Sequence, residues 1–131
     1  MAIYYSRLGS FAANAALNAI TQEPTTIYMA LNTSDPGQNG SGELVGGTYT
    51  RAPVQFGGAS AGVAFNTTNV SFVGLPPINQ GVLWCSFWTA ISSGTYLFGG
   101  VVQGAGAYVL PWPAPPLTVT IETGAIEVQV L

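Results

Sequence analysis

Histidine and lysine are absent from this 131-residue sequence, arginine occurs only as Arg7 and Arg51, and cysteine only as Cys85. Without His or Lys, no Ser-His-Asp or Cys-His pair can be assembled and no Schiff-base lysine exists. Zinc would have to be held by carboxylates with at most one thiolate. Two arginines make no basic stripe to neutralise phosphates, so nucleic acid is not expected as a partner. Cys85 has no internal partner for a disulfide, and its place in an apolar run reads as a small buried hydrophobe.

Charge of either sign is scarce. Charged residues are 5% of the chain, against about 25% in ordinary soluble domains. Long apolar runs are missing too. GVLWCSFWTAI at 81 to 91 falls short of the ~20 residues a spanning helix needs, so no membrane partner is expected. The N-terminal MAIYYSRLGSFAANAALNAI has no basic start, and Asn14 and Asn18 interrupt any export-signal core. The sequons beginning at Asn32, Asn39, Asn66 and Asn69 are therefore expected to be chance matches.

What the chain has in quantity is apolar residues, 48% of the total. That is the reverse of a disordered composition, so the chain folds. Its length suits one domain, with an N-terminal arm and helix over 1–24 and a β-sandwich over 25–131. A surface this poor in charge is either kept soluble by Ser, Thr, Asn and Gln or covered by copies of itself or a larger assembly. The second reading is preferred.

Residues 6 to 20 place Leu8, Phe11, Ala12, Ala15 and Ala19 at helical spacing, with Asn14 and Asn18 on another face and Pro24 as a stop. The period then changes to two. Ile27, Met29 and Leu31 share one face of a strand, as do Ala52, Val54 and Phe56, while Arg51 and Gln55 point away. Val63 with Phe65, and Val70 with Phe72, read as short strands on either side of NTT. VLWCSFWTA at 82 to 90 is apolar on both faces, as in a strand covered on both sides by the helix, a second sheet or a neighbour. TYLFGGVV follows.

LTVTIETGAIEVQVL reads as the strongest hairpin, with strands around Thr123-Gly124. LPWPAPPL at 110 to 117 reads as a rigid connection with Trp112 packed on the body rather than an SH3-type ligand, since no basic residue flanks it. Seven or eight short strands predict a mainly β fold, an antiparallel β-sandwich of jelly-roll or Ig-like type with one short N-terminal helix.

The chemistry left open is narrow. Glu122 and Glu127 flank the last turn and can share a face with Thr120, in the range where glycosidase acids operate. Ordinary solvent contact on the polar side of the sheet is the preferred reading, so no catalytic residue and no cofactor is assigned. In LNTSDPGQNGSGELVGGTYTRAPVQF, residues 31 to 56, Asp35, Asn39 and Gly40 fall at positions 1, 5 and 6 of an EF-hand loop. Gly37 and Gly46 stand where the ligands at positions 3 and 12 belong. GQNGSGELVGG lacks the ending and following helix of a phosphate cradle. Asp35 and Glu43 remain weak calcium candidates and no metal is assigned. Asp35-Pro36-Gly37 reads first as a turn, with Asp capping its own backbone, Pro fixing φ and Gly accepting positive φ.

TIYMALNTSDPG, GELVGGTYTRAPVQFGGAS, NTTNVSF and the closing GAIEVQVL resemble, in order and over nearly the whole chain, a family of small tailed-bacteriophage virion proteins often labelled tail-fibre or minor tail protein. The resemblance implies a short N-terminal helix ahead of the strands and makes Asp35, Pro36, Gly37, Glu43, Gly47, Tyr49 and Arg51 signature positions. Arg51, beside Tyr49 and near Glu43 or Asp35, is expected to pin the loop by a charge-assisted hydrogen bond. LWCSFWTA and PWPAPP depart from the pattern, so partner contacts there are this chain's own.

The resemblance implies a non-enzymatic virion component assembled in the host cytoplasm. A fibre shaft needs a heptad or solenoid repeat, and none is present. The favoured expectation is an accessory decoration or cement subunit on the capsid, stapling neighbours by apolar and edge-strand contacts, with a tail-associated subunit as the alternative. Expected partners are the chain itself, as a homo-oligomer and by the lattice argument a trimer, and other virion proteins such as the major capsid protein. Phe11, Trp84, Trp88 and Trp112 are candidate interface residues. A lectin-like module stacking sugar rings on exposed tryptophans stays open beside these.

Overall fold

The computed structural model describes residues 8–22, 26–76, 81–82, 84–101, 108–109 and 117–130. Arg7, Pro24 and the proline-rich stretch with Trp112 lie outside the described residues. Helix α1 (Ser10–Thr21) is followed by β1 (Ile27–Asn32), β2 (Ala52–Val54), β3 (Val63–Phe65), β4 (Val70–Leu75), β5 (Gly81–Val82), β6 (Trp84–Trp88), β7 (Tyr96–Val101), β8 (Tyr108–Val109), β9 (Leu117–Ile121) and β10 (Glu127–Gln129). Eight of these strands are three residues or longer, and β5 and β8 have two each. All pairings are antiparallel: a four-stranded sheet ordered β2-β1-β6-β7, and the pairs β3/β10, β4/β9 and β5/β8. The fold is mainly β, with the architecture of a small β-sandwich and, among the described residues, no closed barrel.

The core follows from alternation. Ile27, Met29 and Leu31 of β1, Ala52 and Val54 of β2, Val70 and Phe72 of β4 and Phe87 of β6 are buried in one hydrophobic cluster with Phe56, Leu75 and Val119. The Phe87 and Phe98 rings stack at 4.5 Å between centroids, and Phe56 tilts against both. Each such side chain contributes roughly 1.5–3 kcal/mol by leaving water. β3 departs from the expected face: Ala64 is buried, Val63 is half-buried and Phe65 is exposed. All three residues of β3 are apolar, so alternation alone could not choose between its faces.

Helix α1 packs against β3 with its Ala13, Leu17 and Thr21 face, not with the Phe11-Ala12-Ala15-Ala19 stripe, which is exposed. The asparagines decide this. Asn14 Oδ1 accepts from the Gly62 N–H at 2.8 Å and Asn18 Oδ1 from the Ala59 N–H at 2.9 Å. Gln22 Nε2 donates to the Phe56 carbonyl at 2.7 Å. Three polar side chains thus satisfy backbone groups of the 56–62 segment that would otherwise need another partner.

The expected closing hairpin does not form. β9 pairs with β4 and β10 pairs with β3, so the chain turns a corner at Glu122–Ala125 and changes partner. The fully buried Asn66 sits at this corner. Its Nδ2 donates to the carbonyls of Glu122 (3.0 Å) and Thr68 (2.8 Å), and its Oδ1 accepts from the Ile126 N–H (2.8 Å). The turn itself closes through the Ala125 N–H to the Glu122 carbonyl at 3.1 Å, and Asn66 ties both of its arms to the 66–68 segment.

Candidate functional site

The connection between β1 and β2 lies folded back over the outer face of the four-stranded sheet. Across that face the register aligns Tyr28 with Trp88, Ala30 with Ser86 and Asn32 with Trp84, and then Ser86 with Gly99 and Trp88 with Tyr96. Ala30, Asn32 and Ser86 have no exposed surface although they face away from the core cluster. The loop over 33–44, rather than the helix or a neighbour, is what covers β6 on this side.

Local chemistry shapes the loop. Asp35 Oδ1 accepts from the Gly37 N–H at 2.8 Å, the expected Asp-Pro-Gly turn. The Pro36 carbonyl then accepts from the N–H groups of Gly40 and Ser41, and the Pro36 ring is buried against Gly99, where an added methyl would fall 2.7 Å from its Cγ. Gly40 sits with φ +72° directly over the Trp88 and Tyr96 rings, with no room for a Cβ. Asn32 Nδ2 donates to the Ser41 carbonyl at 2.9 Å while its Oδ1 accepts from Ser86 Oγ at 2.7 Å, and Trp88 Nε1 donates to that same Oγ at 2.9 Å. Tyr96 OH donates to the Gly37 carbonyl at 3.0 Å.

The charged centre lies in the second half of the loop. Arg51, on the face away from Ala52 and Val54 as expected, is 7% exposed. Its Nε and Nη2 donate to the two oxygens of Glu43 at 2.9 and 2.8 Å, and Nη1 donates to the carbonyls of Ala90 and Ser93 at 2.9 and 2.7 Å. Its guanidinium carbon is also 4.0 Å from the centroid of the Trp88 ring, a stacking that adds to the ion pair. Tyr49 completes the group. Its OH accepts from the Leu31 N–H at 2.9 Å and donates to Glu43 at 3.3 Å, and its ring stacks on Phe72. Burial, helped by the adjacent carboxylate, pushes the Tyr49 hydroxyl above the ordinary phenol range. Gly47 lies against the backbone of Gly74 on β4.

Arg51 therefore ties together three separate segments: the loop through Glu43, the β6–β7 turn through Ala90 and Ser93, and the sheet through Trp88. Four of its N–H donors are placed, and a desolvated pair of this kind holds only if its remaining groups are satisfied. Of the two weak calcium candidates, Glu43 spends both oxygens on Arg51, whereas Asp35 is exposed and caps its turn. Among the described residues no group of three or more His, Cys, Asp or Glu side chains converges. Glu122 and Glu127 are exposed, the latter hydrogen-bonded to Gln129.

Of the candidate interface residues, Phe11 is 89% exposed, while Trp84 and Trp88 are half-buried. Trp88 is engaged inside the chain by Arg51, Gly40 and Tyr96, so its ring is not a free platform for a sugar. Cys85 is half-buried, and burial pushes its thiol up to about 11. The roles of Asn32, Ser86 and Tyr96 are not apparent in the sequence. The signal available was Ser86 between Trp84 and Trp88, a polar residue on a strand otherwise apolar on both faces.

A family model described as podophage GP4 fiber I protein gp80 matches residues 8–107, which is about three quarters of the chain and includes every residue of the Arg51 cluster. No curated protein matches.

Proposed function

The chain belongs to the podophage GP4 fiber I protein gp80 family, and on that premise we propose that it is a non-enzymatic structural subunit of the tail-fibre apparatus of a tailed phage. The family match over residues 8–107 carries this reading. It also moves the assignment away from the capsid lattice that compactness alone favoured, because the family description is that of a fibre and gives no support to a cement role. The absence of heptad or solenoid repeats still bears on where in a fibre such a chain belongs. We assign it to a globular part, a collar or tip, rather than a shaft.

The role is passive. A body with 5% charged residues and no His or Lys offers neither acid-base machinery at neutral pH nor a charged face for steering. What it offers is a rigid β body whose longest loop is clamped down, with isolated apolar side chains left outside. Those features suit a subunit that packs against copies of itself and against other virion proteins in a finished particle, after assembly in the host cytoplasm.

Quantitative mass spectrometry of purified virions tests the placement. A count of a few to a few dozen copies per particle is the expected result. A ratio near one per major capsid protein would restore the lattice reading, and absence from the virion would refute both.

A further inference from the structure

Asn39 is the one asparagine of the chain that precedes a glycine; the others precede Ala, Thr, Val or Gln. Asparagine is a thermolabile side chain, and with no Cβ on the following residue the next backbone nitrogen reaches the asparagine carboxamide unhindered. In the folded loop that nitrogen is engaged elsewhere. The Gly40 N–H donates to the Pro36 carbonyl at 2.8 Å, and the Ser41 N–H to the same oxygen at 3.0 Å. Gly40 is buried against the Trp88 and Tyr96 rings, while Asn39, one position earlier, is exposed to water. We propose that Asn39 is a deamidation site gated by the loop: seated, the 33–47 loop withholds the Gly40 nitrogen, and each opening releases it to convert Asn39 to aspartate or isoaspartate.

The chemistry needs only water. The Gly40 nitrogen gives up its proton to solvent base and adds to the Asn39 Cγ, and the resulting tetrahedral carbon expels the side-chain nitrogen as ammonia, closing a succinimide ring. Water then opens either C–N bond of the ring. Opening on the side-chain side leaves aspartate, and opening on the main-chain side leaves isoaspartate. One water is consumed and one ammonia is lost, with no change of oxidation state. The first step requires the Gly40 N–H to leave the Pro36 carbonyl and the residue to leave the two rings, so it belongs to the open loop.

Conversion is one-way and alters the loop that permitted it. Either product adds a negative charge to a loop that already carries Asp35 and Glu43, in a chain of net charge −3. Isoaspartate also inserts a methylene into the main chain inside the Pro36–Ser41 turn. The N–H groups of Gly40 and Ser41 then no longer reach the Pro36 carbonyl while Gly40 sits on the rings. Asn39 thus keeps a permanent chemical record of loop opening.

The test incubates the full chain in mildly alkaline buffer well below its melting temperature, then follows position 39 by chymotryptic digestion and mass spectrometry that separates aspartate from isoaspartate peptides. It compares the unaltered chain, the same chain unfolded in guanidinium chloride, Arg51→Ala, which loses the clamp, and Tyr96→Phe, which loses only the hydroxyl bond to the Gly37 carbonyl. In the unfolded chain Asn39 is expected to convert faster than every other asparagine. The folded chain is expected to convert roughly tenfold or more slowly than the unfolded one, because a gated reaction follows the population of the open form. Tyr96→Phe and then Arg51→Ala should fall between, in that order. Equal rates in the folded and unfolded chains would overturn the gate, and an unfolded chain in which Asn39 is no faster than its fellows would overturn the site. Folded variants that convert no faster than the unaltered chain would overturn control by the loop contacts. Should Arg51→Ala fail to fold, Tyr96→Phe decides alone: faster conversion supports the proposal and an unchanged rate refutes it.

Discussion

Arg51 grips Glu43 through two parallel N–H···O bonds, 2.9 Å from Nε to Oε1 and 2.8 Å from Nη2 to Oε2. One of the chain's two cations is thereby sequestered, and the loop over 33–47 is fastened to the sheet.

Replacing that cation should release the loop. Arg51→Ala strands the Glu43 carboxylate and the Ala90 and Ser93 carbonyls, and a loss of about 3 kcal/mol is expected. Limited proteolysis should then cut within 33–47, where the unaltered chain resists. Arg51→Lys keeps the charge without the bidentate fork and should lose about half as much. Unchanged protease resistance in Arg51→Ala would remove the clamp from the account.

The covering of Trp88 by Gly40 gives a second expectation. An alanine at Gly40 meets the Trp88 and Tyr96 rings in a left-handed backbone, whereas Gly37, with φ +58°, has open space around it. Gly40→Ala should cost about 2–4 kcal/mol and shift the tryptophan fluorescence. Gly37→Ala should cost only about 1 kcal/mol. Equal melting temperatures for the two variants would contradict the packing described.

Asn66 is a third point of leverage. Asn66→Ala takes away the side-chain partners of the Thr68 carbonyl and the Ile126 N–H, while the Glu122 carbonyl keeps the Ala125 N–H at 3.1 Å, and buried orphans of this kind cost about 1–3 kcal/mol each. A fall in unfolding free energy of about 3 kcal/mol is expected in urea titrations, with hydrogen exchange increasing first in the 122–126 turn. A loss under about 1 kcal/mol would mean that the corner is held elsewhere.

Alkaline pH supplies a fourth. Burial raises the Cys85 thiol from 9.0 to about 11 and raises the Tyr49 hydroxyl in the same direction. Both groups stay protonated in the folded chain at a pH where the unfolded chain has begun to ionise them. Stability is therefore fully present below pH 9 and is lost as pH climbs from about 9 towards 11. The melting temperature should fall over that window, and less steeply in Tyr49→Phe. Labelling of Cys85 by a thiol reagent at pH 8 should require unfolding. Rapid labelling of the folded chain would contradict this.

Much of the fold was legible because alternation is a local signal. Ile27, Met29 and Leu31, then Val70 and Phe72, face the core as their spacing dictates. The helix was legible as an element, although it starts at Ser10 behind Gly9 rather than at residue 6, and not in orientation. Its apolar stripe suggested the packing face, but hydrogen bonds from Asn14 and Asn18 to residues more than forty positions away reversed it. At Thr123-Gly124 the turn forms but its two strands pair with the distant β4 and β3 rather than with each other. At the Arg51 cluster the sequence supplied the members, Glu43, Tyr49 and Arg51. It did not supply the burial, because the loop that buries them is held by Pro36, Gly40 and Tyr96, contacts set by register across the sheet.

The placement of the chain in a fibre apparatus is tested most directly by gold-labelled antibody against the folded chain, applied to purified virions and viewed by electron microscopy. Gold confined to the tail region is the predicted result. Gold spread over the capsid faces, or particles that bind none, would contradict it.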